Sequence, residues 1–180
     1  MPGRTKANPR FFRSEEKELA KVQRKLSKAP KGSPERMRAL KVVERVHERI
    51  ANRRTDFVNK VSHGLVDRFR VIVFEDLDIR NMIQNCNLAK SISDVAWGML
   101  VNATQNKAGY AGSEVVLVDP RNTSQICSGC GIIVQKELSE RIHVCPGCGL
   151  AMDRDLNAAL NILRLGLQSV GVGSRGSPGL

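Results

Sequence analysis

The sequence has no apolar stretch long enough to cross a bilayer and no secretory leader at its start, so neither a membrane-embedded nor an exported protein is expected. No internal repeat is present, which argues against a solenoid. Aromatic residues make up only 4% of the 180 positions, and the single tryptophan, Trp97, is expected as a core anchor rather than a stacking platform. Acid is scarce in the first 70 residues. They hold 20 Lys+Arg against 8 Asp+Glu, a net of +12, whereas the remaining 110 hold 9 against 10. Positive charge confined to one region is the footprint of a polyanion, because each phosphate neutralised releases counterions. A solvated helix face is the plainer use of such charge, disfavoured because the basic residues run through two helices without matching acids. Arg24, Lys25, Arg53 and Arg54 are the candidate nucleic-acid contacts, on a protein expected in a reducing cytosol.

Four of the five cysteines stand in two close pairs, Cys127-x-x-Cys130 and Cys145-x-x-Cys148. A Zn²⁺ ion needs four soft donors at tetrahedral corners, and each knuckle supplies two sulfurs on one tight turn. The 14-residue spacer Gly131 to Val144 suits a short hairpin, and Gly129, Gly131, Gly147 and Gly149 are expected to supply the positive φ angles of the turns. Two disulfides or a redox pair are the alternative, which a reducing cytosol disfavours. His143, two residues before Cys145, is expected as a hairpin side chain because four cysteines already complete the tetrahedron. Cys86, in a polar loop, is expected to be a bystander.

The pattern upstream is helical, then alternates strand and helix. Ser14 is a candidate N-cap with Glu15 and Glu16 in the first turn, and Leu19, Val22 and Leu26 form an apolar stripe. Ala29-Pro30-Lys31-Gly32 breaks the helix. Ser33 then caps a second arm of about 35 residues, with Pro34 at its first position and Met37, Leu40, Val43, Val46 and Ile50 at helical spacing. That spacing continues through Phe57, Val61, Leu65 and Phe69. Val71-Ile72-Val73-Phe74 reads as a strand buried on both faces, ending in Glu75-Asp76-Leu77-Asp78. An acid at the end of a buried strand suits a metal-binding carboxylate, and a solvated turn suits it equally. Ser91 or Ser93 opens a helix through Trp97 that Gly109 to Gly112 breaks, and Glu114 to Asp119 is a second strand stopped by Pro120. A last helix, Asp153 to Leu165, is expected to pack through Ala158, Ala159, Ile162 and Leu163, before a Gly- and Ser-rich tail expected to be disordered.

The order of these motifs resembles the C-terminal half of the TnpB/OrfB proteins of insertion sequences. The resemblance is carried by the basic hairpin, Val71 to Leu77, Ser93 to Gly98, Asp119 to Gly131, Cys145 to Gly149 and Asp153-Arg154-Asp155-Leu156-Asn157-Ala158-Ala159. It covers about residues 8 to 168. It implies an α/β fold: an incomplete RuvC-like domain of ribonuclease H type with a basic helical hairpin and an inserted zinc ribbon. The implied division is a partial RuvC-like domain over 1–122 that includes the hairpin at 14–69, a zinc ribbon over 123–150, a final RuvC-like helix over 151–168 and a tail over 169–180.

Such proteins, historically called transposases, are implied to be RNA-guided DNA endonucleases that bind DNA and a guide RNA and use Mg²⁺ beside a structural Zn²⁺. Glu75 matches the second acid of their catalytic triad and Asp155 the third. Asp153, two residues away and turned by roughly 200° on a helix, is expected as a cap instead. The family's first acid lies on a strand before the hairpin, and this sequence opens with Met1-Pro2-Gly3-Arg4 directly before it. Two of three ligands imply a chain inactive alone, completed by an N-terminal polypeptide. The alternative is a non-catalytic zinc-ribbon module that only binds nucleic acid.

Overall fold

A computed structural model describes residues 11–79, 96–137 and 139–171, with backbone alone for 11–14. The expectations on Cys86, Ser91 and Ser93, and that for the tail beyond Gly171, lie outside the described residues. The chain divides into two compact units, Met1–Asp67 with Asp78–Lys107, and Arg68–Leu77 with Ala108–Leu180. Among the described residues no helix is long and apolar enough to cross a membrane.

The first unit is built on a helical hairpin, α1 (Phe11–Lys28) and α2 (Pro34–Val66). Ser33 caps α2 by accepting the Arg36 N–H, and Pro34 occupies the first turn where its missing donor costs nothing. Gly32, at φ +81°, makes the left-handed turn between the arms. Arg36 reaches back and donates to the Leu26 and Ala29 carbonyls, at 2.9 and 3.3 Å, closing the exposed end of α1. The hairpin core is Leu19, Val43, Val46 and Ile50, with Val22, Leu26 and Phe57 packed against it.

Three expectations change here. Helix α1 is already running at Ser14, so Ser14 is no cap; Glu15 bridges instead to Arg49 at 3.2 Å and Arg53 at 2.9 Å across the hairpin. Met37 and Leu40 are 55% and 40% exposed, because they precede the stretch of α2 that faces Leu19. Beyond Ile50 the buried positions are Val58 and Ser62, and Phe69 is exposed outside the helix. Helix α3 (Trp97–Ala111) follows, and its Lys107 ammonium donates to the Asn59 carbonyl and to the Ser62 hydroxyl, at 2.9 and 2.7 Å.

The second unit holds two parallel strands, β1 (Val71–Glu75) and β2 (Glu114–Val118), in a register that sets Val71 beside Glu114 and Glu75 beside Val118. β-Branched and aromatic side chains favour this pleated pairing. The strand is not buried on both faces: Ile72 and Phe74 are buried, while Val71 and Val73 are only half covered. Helix α4 (Arg154–Ser169) supplies that cover, with Gly166 seated on Val73. Between β2 and α4 lies the cysteine-bearing segment, with β3 (Ile142–Val144) antiparallel to β4 (Ala151–Asp153).

Candidate functional site

The two cysteine knuckles are built alike. In the first, the Cys127 N–H donates to the Ile132 carbonyl at 2.8 Å and the Gly131 N–H to the Cys127 carbonyl at 2.9 Å. In the second, Cys145 and Leu150, then Gly149 and Cys145, repeat both bonds at the same lengths. Gly131 and Gly149 close the turns at φ +82° and +75°. Gly129 and Gly147 do not have positive φ, contrary to expectation, and serve by leaving space. A Cβ on Gly147 would meet Ile132 Cδ1 at 2.6 Å, and one on Gly129 would meet Leu150 Cδ2 at 3.3 Å, so each knuckle's apolar residue covers the other's glycine. The hairpins also fall elsewhere than expected. They flank the knuckles, as the Ile126–Ile133 bridge and the β3–β4 pair, rather than occupying the spacer.

This reciprocal packing brings the four sulfurs within 4.8 Å of one another. Cys127 and Cys148 stand 3.7 Å apart, and Cys130 and Cys145 stand 3.5 Å apart. A disulfide needs about 2.05 Å, whereas a tetrahedron with metal–sulfur bonds of about 2.3 Å has edges near 3.8 Å. The donor set therefore fits one soft metal ion. Burial of Cys127 opposes its thiolate, but donors from the Cys130 backbone, His143 and the Gly129 backbone outweigh it and pull the thiol down to about 5. The Leu150 N–H favours a thiolate on Cys148, yet the shared hydrogen bonds with Cys145 and Cys130 push it up to about 12. One anion is accommodated readily and further ones only with a cation among them. His143 is fully buried on β3 beside this cluster, with Nδ1 in contact with the Lys136 ammonium. It is not one of the four clustered donors, in keeping with its reading as a hairpin side chain.

Glu75 ends β1, half-buried, and its Oε1 accepts a 2.7 Å hydrogen bond from the Thr123 hydroxyl. Thr123 lies in the loop after β2, where Asp119 pairs with Arg121 and Asn122 adopts φ +61°. The Arg121 guanidinium holds the Asp119 carboxyl below its usual range. Two asparagines of α4 fix this loop. Asn161 Nδ2 donates to the Thr123 carbonyl at 2.9 Å and to Ile126 at 2.7 Å. Asn157 donates to the same Ile126 carbonyl at 2.7 Å and accepts the Ser128 N–H at 2.9 Å.

The expected packing face of α4 is thus corrected: Asn157, Asn161 and Gly166 are buried, while Ala159 and Leu163 are exposed. Apolar periodicity could not find a face whose task is to satisfy loop carbonyls. The signal was the i, i+4 spacing of two asparagines. Asp153 caps α4, its Oδ1 accepting from the Asp155 and Leu156 N–H groups at 2.8 and 3.1 Å. Asp155, in the first turn, is left 73% exposed with the Arg154 guanidinium 3.4 Å away. Among the described residues, the four cysteines are the only group of three or more Cys, His, Asp or Glu placed together closely enough for one ion.

Of the candidate basic contacts, Arg24 and Lys25 are exposed on α1, and Arg24 donates to the Ala20 carbonyl one turn back. Arg53 is engaged with Glu15, and Arg54 is half-buried, so neither is a simple free cation. Lys25 also lines a shallow depression at the closed end of the hairpin, together with Lys28, Glu35 and Arg38 and the apolar Ala29, Ala39 and Val42.

These features coincide with known proteins. The family described as "Probable transposase" (OrfB_IS605) matches residues 3–86, and the Cas12f1-like TNB domain matches 97–162. A "Putative RNA-guided DNA endonuclease" of Streptomyces pristinaespiralis is 41% identical over 167 residues, covering 92% of this chain and 42% of the relative. InsQ of Escherichia coli K12, described in the same words, is 30% identical over 171 residues, 86% of this chain and 42% of its own length. Cas12f1, solved with sgRNA and target DNA, superposes with TM-score 0.60 at 20% identity over 87% of this chain and 42% of that one. The fold is therefore one found within a Cas12f1 chain. The chain belongs to the TnpB/OrfB family of insertion-sequence proteins, and it spans 42% of the length of these curated relatives.

Proposed function

We propose that the chain is a working part of an RNA-guided DNA endonuclease, supplying a basic hairpin, a structural zinc ribbon and two carboxylates of a RuvC-like, ribonuclease H-type site. The observation that supports this best is the tie from Glu75 through Thr123 and Asn161 to α4, whose first turn carries Asp155. One rigid network thus holds the end of a parallel strand and the helix bearing a second acid. Asp153 is committed to the cap, which leaves Asp155, 73% exposed and beside the Arg154 guanidinium, as the carboxylate of that turn not used by the helix backbone.

Cys127, Cys130, Cys145 and Cys148 hold Zn²⁺, whose part is to fold the ribbon. Glu75 and Asp155 would hold Mg²⁺, which would supply the activation of water and the stabilisation of the leaving phosphodiester oxygen. The residues of this chain orient the cations, and the hairpin neutralises phosphates of DNA and guide RNA. A third carboxylate comes from outside the described residues, either from this chain or from a complementary N-terminal polypeptide. Action on DNA places the protein at the nucleoid in the cytoplasm.

The test is cleavage by purified chain with Mg²⁺, guide RNA and target DNA, with and without a polypeptide bearing an acid-carrying upstream strand. No cutting alone, cutting in the mixture and loss of it with Glu75→Gln or Asp155→Asn are expected. Restored cutting that survives both substitutions would overturn the assignment.

A further inference from the structure

The bond between Thr123 and Glu75 does more than tie β1 to α4. Thr123 is 3% exposed, and its hydroxyl oxygen Oγ1 lies 2.7 Å from Glu75 Oε1 and 3.1 Å from the Pro120 carbonyl, with a single proton to donate. One proton cannot serve both equally, and the shorter bond to a carboxylate is the stronger. The bond fixes Glu75 Oε1 in place and, through the planar carboxylate, restricts the rotamers of the whole group. The hydroxyl is itself held. Asn161 fixes the Thr123 carbonyl, and the same amide bonds to Ile126, which Asn157 also holds while accepting the N–H of Ser128 inside the first knuckle.

We infer that Thr123 is a positioning residue for Glu75, and that the asparagine pair makes the four-cysteine ribbon a brace for that carboxylate. The inference rests on the reading of Glu75 as a metal ligand, but its geometry does not. Without the hydroxyl, a glutamate with three rotatable bonds at a strand end samples several rotamers, and the ordering cost falls on cation binding.

The experiment compares wild type, Thr123→Val, Thr123→Ser and Glu75→Gln in the full chain, each checked for an intact ribbon by zinc content. Side-chain order at Glu75 is read by ¹³C NMR, assigned by loss of the signal in Glu75→Gln, and Mn²⁺ affinity is read by EPR. Thr123→Val should average the Glu75 rotamers and weaken Mn²⁺ binding about tenfold, and Thr123→Ser should restore both. Zinc removal by a chelator should also loosen Glu75. A Glu75 as ordered in Thr123→Val as in wild type overturns the positioning role. Mn²⁺ affinity unchanged by Glu75→Gln would instead overturn the metal-ligand reading, leaving the order measurement to decide on Thr123.

Discussion

Gly166 sits in the middle of α4, where alanine would ordinarily strengthen a helix by about 1 kcal/mol. Here a Cβ would lie 2.3 and 2.5 Å from the two methyls of Val73 and 3.0 Å from its Cβ. A β-branched strand residue cannot turn those atoms away. Gly166→Ala should therefore destabilise the second unit by about 1–3 kcal/mol in denaturant titration, and Val73→Ala should recover part of the loss in a double-mutant cycle. Gly147→Ala is the contrasting case, since its 2.6 Å contact is with the terminal methyl of a half-exposed Ile132 and can be relieved by rotation. The cysteines set a pH dependence. Cys127 titrates near 5 in the fold against 9.0 ordinarily, so its stabilising contribution to the metal-free ribbon is full above 9.0 and declines as pH falls toward 5. Zinc retention should fall with acid in the same sense, because the ligands must lose their protons. Zinc release to a chromophoric chelator at decreasing pH checks this, and Cys127→Ser should release zinc at a higher pH than wild type.

An element can be amphipathic without being apolar on its buried face, and α4 is such a helix. Asn157→Ala would leave the Ser128 N–H without its side-chain acceptor and should cost about 1–3 kcal/mol, loosening the first knuckle before the β1–β2 pair. Amide exchange at Ser128 against Val116 would reveal the order of loss. The hairpin has the opposite character, an apolar seam of Leu19, Val43, Val46 and Ile50 under a basic exterior. Phosphate binding by that exterior should weaken along a straight line in log affinity against log salt, shallower by about 0.9 for each contact removed. Lys25→Ala and Arg24→Ala should flatten the line with the fold intact. Arg53→Ala is predicted to lower hairpin stability as well, by at most about 1 kcal/mol, because it removes one of the two ion pairs of Glu15 and leaves that with Arg49.

Across the whole chain, the two units depend on different sources of stability. The first has a hydrophobic core formed by α1 and α2 themselves, whereas the ribbon in the second has little to bury besides its cysteines, Thr123, His143 and the asparagines. A small module with so little core is expected to depend on an ion held among its four cysteines. Chelation followed by limited proteolysis should therefore expose cleavage sites within residues 123–153 while residues 15–66 stay protected. Equal loss in both regions would show that the hairpin does not stand on its own core.

The sequence by itself determined whatever depends on neighbours along the chain. Paired Cys-x-x-Cys spacing, the Ser33-Pro34 start, the Gly32 break and the β-branched run at Val71 are local, and each appears where it was read. It also separated Asp153 as the cap from Asp155 in the first turn, because a two-residue offset on a helix already turns the two side chains apart. Only tertiary structure decided which glycines supply space rather than φ, since that depends on Ile132, Leu150 and Val73 arriving from elsewhere. Nor could periodicity show that Arg53 answers Glu15, or that Thr123 holds Glu75 across 48 residues of chain. A hydrogen bond between distant residues has no period, and it is created by packing that the linear pattern does not encode.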